Sequence, residues 1–93
     1  MMKSTKRIDI FHIESWELPN GDLHREDGPA VIYSNGDKEW FLNGKRHRED
    51  GPASIEINGD KEWWLNNEEY SEEEYKKKIK KKMRLDKLNK ILN

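Results

Sequence analysis

Two copies of one charged string contain the residue types best suited to chemistry. The string His-Arg-Glu-Asp-Gly-Pro-Ala occupies residues 24–30 and again residues 47–53. Each copy places a pair of carboxylates two residues after a histidine, Glu26 and Asp27 in the first copy and Glu49 and Asp50 in the second. Such a pair could supply a general acid and a general base for hydrolysis. Any catalytic hypothesis for this chain rests on these two HREDGPA strings.

The repetition of the strings favours a structural role for their histidines. His47 should lie across a hairpin from Trp40, and the matching position opposite Trp63 is occupied by Tyr70. A position that accepts either histidine or tyrosine is typical of a ring that packs on an indole, and not of a metal ligand. We therefore expect the histidines to be structural.

The arginines next to the carboxylates support the same view. Arg25 and Arg48 can form ion pairs with the adjacent carboxylates and so tie neighbouring repeats together. The sequence contains no glycine-rich phosphate loop, no nucleophile elbow and no His–carboxylate metal spacing. A small scaffold also has little room for a deep pocket. We expect a protein that is not an enzyme and that needs no metal or cofactor.

Composition limits the class of protein further. The chain has 93 residues, of which 40% are charged and 32% are hydrophobic. It lacks the run of about 20 apolar residues that a membrane span needs, and no apolar segment typical of a signal peptide follows Met1. It has no cysteine, but four tryptophans supply apolar area for a folded core. We expect a cytoplasmic protein with no membrane partner.

An internal repeat of 23 residues organises the chain. Residues 24–42 and 47–65 differ at only four of 19 aligned positions. The two full units span about 24–46 and 47–70, and a degenerate partial unit precedes residue 24. The four differences are Val31/Ser54, Tyr33/Glu56, Ser34/Ile57 and Phe41/Trp64.

Asn-Gly dipeptides predict the turns of each unit. They fall at residues 20–21, 35–36, 43–44 and 58–59, and Asn66-Asn67 falls at the next turn position. Asn-Gly is the strongest short hairpin signal, because a type I′ turn needs positive φ at both central residues. Each unit should therefore contain two strands and two turns in an antiparallel meander.

Loop length fixes the predicted register. A two-residue loop at Asn43-Gly44 pairs Leu42 with Lys45. A three-residue loop over residues 35–37 places Ile32 opposite Trp40 and keeps the apolar residues on one face.

Comparison of the two units separates the two faces of the predicted sheet. Alternate residues of a strand point to opposite faces. One alternating set is unchanged between the units, and we predict that it is buried: Ala30, Ile32, Trp40 and Leu42, repeated as Ala53, Ile55, Trp63 and Leu65. The other set changes and is free to bind a partner. Its predicted partner-binding residues are Val31, Tyr33, Phe41 and Trp64.

The last 23 residues differ in kind. Ser71 and Glu74 form a capping box, which predicts a helix from about Glu72 to about Leu92 within a capped basic region, 71–93. Residues 76–93 contain nine basic residues and one acidic residue, whereas residues 1–75 contain nine basic and 18 acidic residues. Such asymmetry indicates either an interaction element or a helix folded on an acidic body. The helix residues predicted to join the partner contact are Lys77, Lys78, Lys81 and Arg84.

Two questions stay open at this point. The helix could cover Phe41 and Trp64 through Tyr75, Ile79 and Met83, or it could leave these aromatic residues exposed as anchors. The alternative function is nucleotide or nucleic-acid binding, because basic residues can neutralise phosphates. The residues predicted for that alternative are Arg25, Arg48, Lys80 and Lys82.

The repeat resembles a known family. The string from Glu39 to Lys45, the following Gly51, the period of 23 residues and the recurrence from Glu62 to Asn67 resemble MORN repeats (membrane occupation and recognition nexus). The HREDGPA units are similar to a variant in small phage and bacterial proteins. The resemblance covers about residues 16–70. It implies a chain of β-hairpins that binds other proteins, and by analogy a phage-encoded inhibitor of a host defence factor.

The sequence therefore predicts a mainly β fold, an antiparallel meander of MORN-like hairpin repeats with a C-terminal α-helix. We expect a non-enzymatic binding module whose partner is a host protein. Because a short open sheet has unpaired edge strands, we also expect a homodimer.

Overall fold

The computed structural model describes residues 3–92, with side chains described as far as Leu88, so residue 93 of the predicted basic region lies outside the described residues. The predicted fold class, a mainly β chain with one C-terminal helix, is confirmed. The elements are β1 (Thr5–Ile8), β2 (Glu14–Glu17), β3 (Val31–Ile32), β4 (Lys38–Glu39), β5 (Phe41–Leu42), β6 (Lys45–Arg46), β7 (Ser54–Ile55), β8 (Lys61–Leu65), β9 (Glu68–Tyr70) and α1 (Glu72–Leu92).

The strands form an antiparallel sheet with one departure from a simple meander. Seven strands follow the order β1-β2-β3-β4-β7-β8-β9, and β5 and β6 pair as a separate hairpin. The main sheet passes from β4 to β7 because the Trp40 N–H donates to the Ala53 carbonyl, 2.8 Å away, before Phe41 turns to pair with Arg46. The hairpin therefore branches off the sheet at Trp40. β1 and β9 are the edge strands.

The two-residue turns match the prediction. Asn43 and Gly44 have φ values of 51° and 78°, and Leu42 pairs with Lys45. Asn66 and Asn67 take the same conformation, with φ values of 49° and 70°. Asparagine is one of the few residues with a side chain that enter the left-handed region readily, which explains why it replaces glycine here.

The other Asn-Gly loops correct the predicted register. The Tyr33 N–H donates to the Asp37 carbonyl, so the three-residue loop covers 34–36 and not 35–37. Ile32 consequently pairs with Lys38, and the predicted pairing of Ile32 with Trp40 is wrong. The turn closes at this point because the Asn35 side chain accepts a hydrogen bond from the Asp37 N–H (2.9 Å). The loop still has an odd number of residues, so the predicted separation of the two faces survives.

The core lies along a row of alternating large and small residues across the sheet. Extension of the observed registers makes Trp16, Ala30, Trp40, Ala53 and Trp63 cross-strand neighbours on one face, which we call the indole face. The two alanines are 0% exposed, as predicted, but the other six residues predicted to be buried on this face are only half-buried: Ile32, Trp40, Leu42, Ile55, Trp63 and Leu65. A small residue between two indole rings leaves room for both rings, so this row fills the inner layer of the sheet.

Helix α1 begins at the predicted capping box and packs on the indole face. The Ser71 hydroxyl accepts from the Glu74 N–H and donates to the Glu74 carboxylate, both at 3.2 Å. Tyr75, in the first turn, is 3% exposed and lies 5.0 Å from Trp63 between ring centroids. In the part of the chain that the structure describes, no helix has the length and apolar character to span a membrane.

Candidate protein-binding face

The side of the sheet opposite the indole face carries an aromatic cluster. Phe41 pairs with Arg46 across the Asn43-Gly44 turn, and directly paired residues project to the same side. The Arg46 guanidinium lies 5.4 Å from the Phe41 ring centroid and 5.3 Å from the Trp64 ring centroid. Phe41 belongs to the first repeat and Trp64 to the second, so this arginine joins the two repeats through cation–π contacts.

An acidic residue anchors the cluster. The Arg46 Nη2 donates to the Glu39 carboxylate at 2.9 Å, and the Tyr33 hydroxyl donates to the other oxygen of that carboxylate at 2.5 Å. This hydrogen bond raises the pKa of Tyr33 to about 12, with burial and the charge of Glu39 adding to the effect. We call Tyr33, Glu39, Phe41, Arg46 and Trp64 the outer cluster. Glu39 thus pairs with both Tyr33 and Arg46, and the Trp64 Nε1 donates to Glu62 at 3.0 Å, whereas the buried Arg46 Nε has no hydrogen-bond partner among the described residues.

Val31 does not belong to the accessible surface of this face, and the prediction that it contacts a partner is corrected. Val31 is only 6% exposed. It lies on an interior strand between Ser15 and Glu39, which pair with it from β2 and β4. With so little exposed surface, Val31 cannot serve as an anchor for a partner in this structure.

The helix leaves Phe41 and Trp64 uncovered. Because Trp63 and Trp64 are consecutive residues of β8, their side chains point to opposite faces, and α1 packs on Trp63 through Tyr75. Phe41 and Trp64 are half-buried, and Tyr33 is exposed. Of the two possibilities that the sequence left open, the structure places the helix on the other side of the sheet.

The arginines of the HREDGPA strings are held on the indole face. The Arg48 guanidinium lies 3.9 Å from the Trp40 ring centroid and donates to the Asp50 carboxylate (2.8 Å) and the Pro52 carbonyl (3.0 Å). Arg25 makes the same contacts with Trp16, Asp27 and Pro29 in the first string. The predicted ion pairs between repeats are therefore wrong: each pair lies within one string, and the stacking on the preceding tryptophan crosses between repeats.

The glycine of each string makes this stacking possible. A Cβ atom built on Gly51 would lie 2.9 Å from the Cζ of Arg48, and one built on Gly28 would lie 3.0 Å from that of Arg25. The distance at Gly51 is shorter than real Cβ contacts allow, and the distance at Gly28 is tighter than most of them. The Asp-Gly-Pro turn therefore closes around the guanidinium, which explains why the whole string repeats as a unit.

The two buried histidines bond to backbone turns. His24 and His47 each accept a backbone N–H on Nδ1, from Asn43 (2.9 Å) and Asn66 (3.0 Å) respectively. An accepting Nδ1 places the proton on Nε2. In His47 the Nε2 lies 2.8 Å from the Glu49 carboxylate, so both ring nitrogens are occupied. Each histidine thus holds the two-residue turn of its own repeat.

The carboxylates considered for hydrolysis have partners of their own. Lys82 on α1 donates to Glu49, and this hydrogen bond, together with that from His47, lowers the pKa of Glu49 below its usual range. Asp27 and Asp50 accept from the arginines of their strings. A carboxylate held ionised in this way is a poor proton donor, which disfavours a general-acid role for Glu49.

An open groove of about 590 Å³ separates α1 from the two strings. Ile79, Met83 and Asp86 line it from the helix, and Trp40 and Leu42 line it from the sheet. The carboxylates of both strings also line this groove. It was not expected from the sequence, because it depends on the direction in which the helix leaves Trp63.

The predicted basic residues separate into several environments. Lys77 pairs with Glu73 (3.7 Å), Lys78 lies over the Tyr70 ring (5.1 Å), and Lys82 pairs with Glu49. Three exposed residues make no ion pair with another described residue: Lys80, Lys81 and Arg84. The groove beside α1 brings together three of the four alternative phosphate-binding residues, Arg25, Arg48 and Lys82, but each of them is paired with a carboxylate, and Lys80 does not line the groove.

Sequence reasoning missed two members of the outer cluster, Glu39 and Arg46. A signal for Arg46 was available, because the two-residue Asn43-Gly44 turn pairs it with Phe41. No comparable signal in the sequence predicts the contact of Arg46 with Trp64, because that contact depends on how the β5–β6 hairpin is oriented relative to β8.

Comparison of the chain with protein-family models, with curated proteins and with solved structures found no match. The likeness to MORN repeats therefore rests on the residues quoted above.

Proposed function

We propose that this protein is a non-enzymatic binding module that recognises another protein through the outer cluster. The observation that carries the proposal is the position of Arg46 between Phe41 and Trp64, which joins the two repeats into one surface. Tryptophan, tyrosine and arginine are the residues most enriched among the energetic centres of protein interfaces.

The order of the outer cluster supports binding. The Tyr33 hydroxyl and the Arg46 guanidinium both donate to Glu39, so these side chains lose little freedom when a partner arrives. Side chains that are ordered before binding reduce the entropic cost of association.

The differences between the repeats support the same face. Phe41 of the first unit and Trp64 of the second occupy equivalent positions, and Tyr33 is replaced by Glu56. The residues of the indole face, in contrast, are the same in both units, with Ala30 and Trp40 repeated as Ala53 and Trp63. A surface that varies while its support stays constant is suited to recognition of one particular partner.

The resemblance to repeat proteins of phages supports a host protein as the partner. On this proposal the chain blocks a host defence factor by occupying its surface. This requires binding only, which fits carboxylates that are already paired with Arg25, Arg48 and Lys82.

Affinity capture tests the proposal. The tagged chain and its Phe41→Ala/Trp64→Ala variant are incubated with extracts of bacterial cells, and the captured proteins are purified and titrated against both forms. We expect a protein that binds the unchanged chain directly and binds the variant at least ~30-fold more weakly, as for loss of an interface centre. Leu85→Ala, an exposed position on the helix, is the matched control and should bind normally. Equal binding by all three forms would reject the outer cluster.

A stripe on α1 favours a second candidate, binding of nucleic acid. Lys77, Lys80, Lys81 and Arg84 follow i, i+3, i+4 and i+7, so they lie on one side of the helix. Tyr75 and Ile79, which pack on the sheet or line the groove, lie on another side. Such a stripe can contact a line of phosphates.

Salt dependence tests this candidate. Fluorescently labelled RNA and DNA are titrated at increasing salt concentration with the unchanged chain and with Lys80→Gln/Lys81→Gln/Arg84→Gln. Binding through the stripe should weaken steeply with salt. In a plot of log affinity against log salt concentration, the slope of the variant should be shallower by about 0.9 for each phosphate that its side chains no longer neutralise. Absence of binding at low salt would reject this candidate.

A further inference from the structure

Two buried histidines hold the two-residue turns through a ring nitrogen that carries no proton. His24 and His47 are each 8% exposed. Their Nδ1 atoms accept the N–H groups of Asn43 (2.9 Å) and Asn66 (3.0 Å), the first residues of the two turns. An imidazole nitrogen accepts only while it is unprotonated, and both nitrogens are donors once the ring is charged. Each of these hydrogen bonds therefore exists only with the neutral form of its histidine.

A carboxylate lies next to the second nitrogen of each ring. The Nε2 of His47 lies 2.8 Å from the Glu49 carboxylate, and the Nε2 of His24 lies 3.7 Å from that of Glu26. An ionised carboxylate pairs with a charged imidazole as well as with a neutral one that donates. A proton that arrives at Nδ1 thus finds a counter-charge inside the folded chain, and the contact that it removes is the hydrogen bond to the turn.

Other charged groups surround the two rings. Asp22 lies beside the turn that His24 holds, and the Trp16 ring, on the neighbouring strand, carries Lys6 and Arg25. His47 lines the groove beside α1, where acidic residues outnumber basic ones. The charged residues that line the groove with it are Arg25, Glu26, Asp27, Arg48, Glu49, Asp50, Lys82 and Asp86.

Both turns hold the backbone of Arg46. The Asn43-Gly44 turn closes the hairpin in which Phe41 pairs with Arg46. Asn67, the second residue of the other turn, donates its N–H to the Arg46 carbonyl (2.9 Å), and its side chain accepts from the Arg46 N–H (3.1 Å). The two turns that the histidines hold therefore meet at the residue that joins Phe41 to Trp64 in the outer cluster.

We propose that His24 and His47 form an acid-sensitive switch that regulates the outer cluster. When Nδ1 takes up a proton, it no longer accepts the N–H of its turn, the turn loosens, and Arg46 loses its fixed position between the two aromatic rings. Histidine is the side chain that ordinarily changes charge between pH 5 and pH 8. The switch belongs to the chain by itself, and only its consequence, weaker binding of a partner in acid, rests on the function proposed above.

Hydrogen bonds without histidine keep the change local. The Gly44 N–H donates to the Leu23 carbonyl at 2.9 Å, and within the sheet the Ala30 N–H donates to the Glu39 carbonyl at 2.8 Å. Neither bond involves a group that gains or loses a proton. Acid should therefore loosen the two turns while the sheet stays folded, and Ala30 provides an internal control.

Amide hydrogen exchange followed by NMR tests the switch. Protection factors, corrected for the intrinsic pH dependence of exchange, are measured for Asn43, Asn66 and Ala30 at about pH 8 and about pH 5. We expect at least ~10-fold lower protection of Asn43 and Asn66 in acid, and a change of less than about threefold at Ala30. Unchanged protection of both turn residues, or an equal loss at all three amides, would overturn the proposal.

Variants assign each response to one ring. Asparagine has a side-chain oxygen that can accept the N–H in place of Nδ1, and it takes up no proton in this range. His24→Asn should abolish the response at Asn43 and keep that at Asn66, and His47→Asn should do the reverse. His12→Asn, at an exposed histidine outside the repeats, is the matched control and should keep both responses. A response at Asn43 that persists in His24→Asn would overturn the assignment.

The ring nitrogens of the unchanged chain provide a measurement that needs no variant. Their ¹⁵N signals should show a proton on Nε2 alone at about pH 8 and on both nitrogens at about pH 5, in step with the loss of protection in the turns. Rings that stay neutral in acid, or that become charged while both turns stay protected, would overturn the proposal.

The link to the outer cluster has its own signal. Side-chain protons of Arg46 lie near the rings of Phe41 and Trp64, so their chemical shifts report these contacts. They should move toward ordinary values in acid in the unchanged chain and not in His24→Asn/His47→Asn, and shifts unaltered by acid would overturn the link.

Failure of the switch and failure of the proposed function are distinguishable. A chain that switches but captures no protein would reject the function and leave the switch standing. A chain that captures a partner but whose turns ignore acid would reject the switch alone.

Discussion

The indole face and the outer cluster lie on opposite sides of the sheet and differ in how their residues vary between the two repeats. On the indole face both repeats use the same residues, with Ala30 and Ala53 fully buried between tryptophans. On the outer face Phe41 of the first repeat is replaced by Trp64 in the second, and both are half-buried, as are Trp40 and Trp63 of the indole face. The repeat therefore keeps the residues of the indole face constant, and on the opposite side it varies both a buried position, Val31/Ser54, and accessible aromatic positions.

The indole face also explains why the helix is present. Trp16 is covered by Arg25, Trp40 by Arg48 and Trp63 by Tyr75. The Tyr75 hydroxyl also donates to the carbonyl of Arg48, and it accepts from the Gly51 N–H at 3.3 Å. The helix thus covers the last indole where no further HREDGPA string follows, as a terminal cap does in repeat proteins.

Removal of the contact between Tyr75 and Trp63 should have the largest effect on the free energy of unfolding. Tyr75→Ala deletes a buried ring that contacts Trp63, and we expect the free energy of unfolding to fall by about 3–5 kcal/mol. Tyr33→Ala removes an exposed ring of the outer cluster and should cost about 1 kcal/mol or less. Urea denaturation followed by tryptophan fluorescence measures both. Similar losses for the two variants would remove the distinction between the faces.

Replacement of a stacked arginine should have an intermediate effect. Arg48→Lys keeps the positive charge but loses the planar group that stacks on Trp40 and bonds to Asp50 and the Pro52 carbonyl. We expect a loss of about 1–2 kcal/mol in the same denaturation experiment. Arg84→Lys, on the exposed helix, should leave stability unchanged. An unchanged midpoint for Arg48→Lys would show that the charge alone matters.

The ion pair between the helix and the second string should have a smaller effect that depends on pH. The pKa of Glu49 is lowered by its hydrogen bonds from Lys82 and His47, so its contribution to stability is present above the ordinary carboxyl value and is lost as the pH falls through the lowered value. Glu49→Gln should therefore be less stable than the unchanged chain at pH 7 and equally stable in strong acid. Glu56→Gln, an exposed control, should show no such difference. A difference that persists in strong acid would contradict this assignment.

The smallest effect concerns the titration of Tyr33. Its pKa is raised to about 12 by the bond to Glu39, so the stability that this bond provides should be present below pH 10 and be lost as the pH rises toward 12. Absorbance at ~295 nm follows ionisation of the tyrosines. Tyr33→Phe should remove a late step from the titration, and Glu39→Gln should move that step to lower pH. A titration curve unaltered by Glu39→Gln would place Tyr33 away from this carboxylate.

Local signals predicted much of this fold. The Asn43-Gly44 turn fixes its own register because two residues with positive φ leave one way to pair Leu42 with Lys45. The capping box fixed the start of α1 for the same reason, since Ser71 and Glu74 interact within one turn. The alternation of side chains along each strand then separated the two faces, because this separation depends only on whether each loop has an odd or an even number of residues.

Features that depend on distant neighbours could not be predicted in this way. The loop at Asn35 closes one residue earlier on each strand than expected, because the side-chain bond to Asp37 decides between two loops of equal length. Val31 is only 6% exposed although it differs between the repeats, so variation between repeats does not identify the accessible residues. The groove depends on the direction in which α1 leaves the sheet, and the exposed loop between β1 and β2 depends on where β1 joins it. Neither can be inferred from the repeated residues.

We propose that the outer cluster, and not the basic helix, recognises the protein partner. Calorimetric titration of the captured partner tests it most directly, with the unchanged chain, Phe41→Ala/Trp64→Ala and Lys80→Gln/Lys81→Gln/Arg84→Gln compared at one salt concentration. We predict that the aromatic variant binds at least ~30-fold more weakly, and that the helix variant changes affinity less than about threefold. Normal binding by the aromatic variant together with loss of binding by the helix variant would contradict the claim.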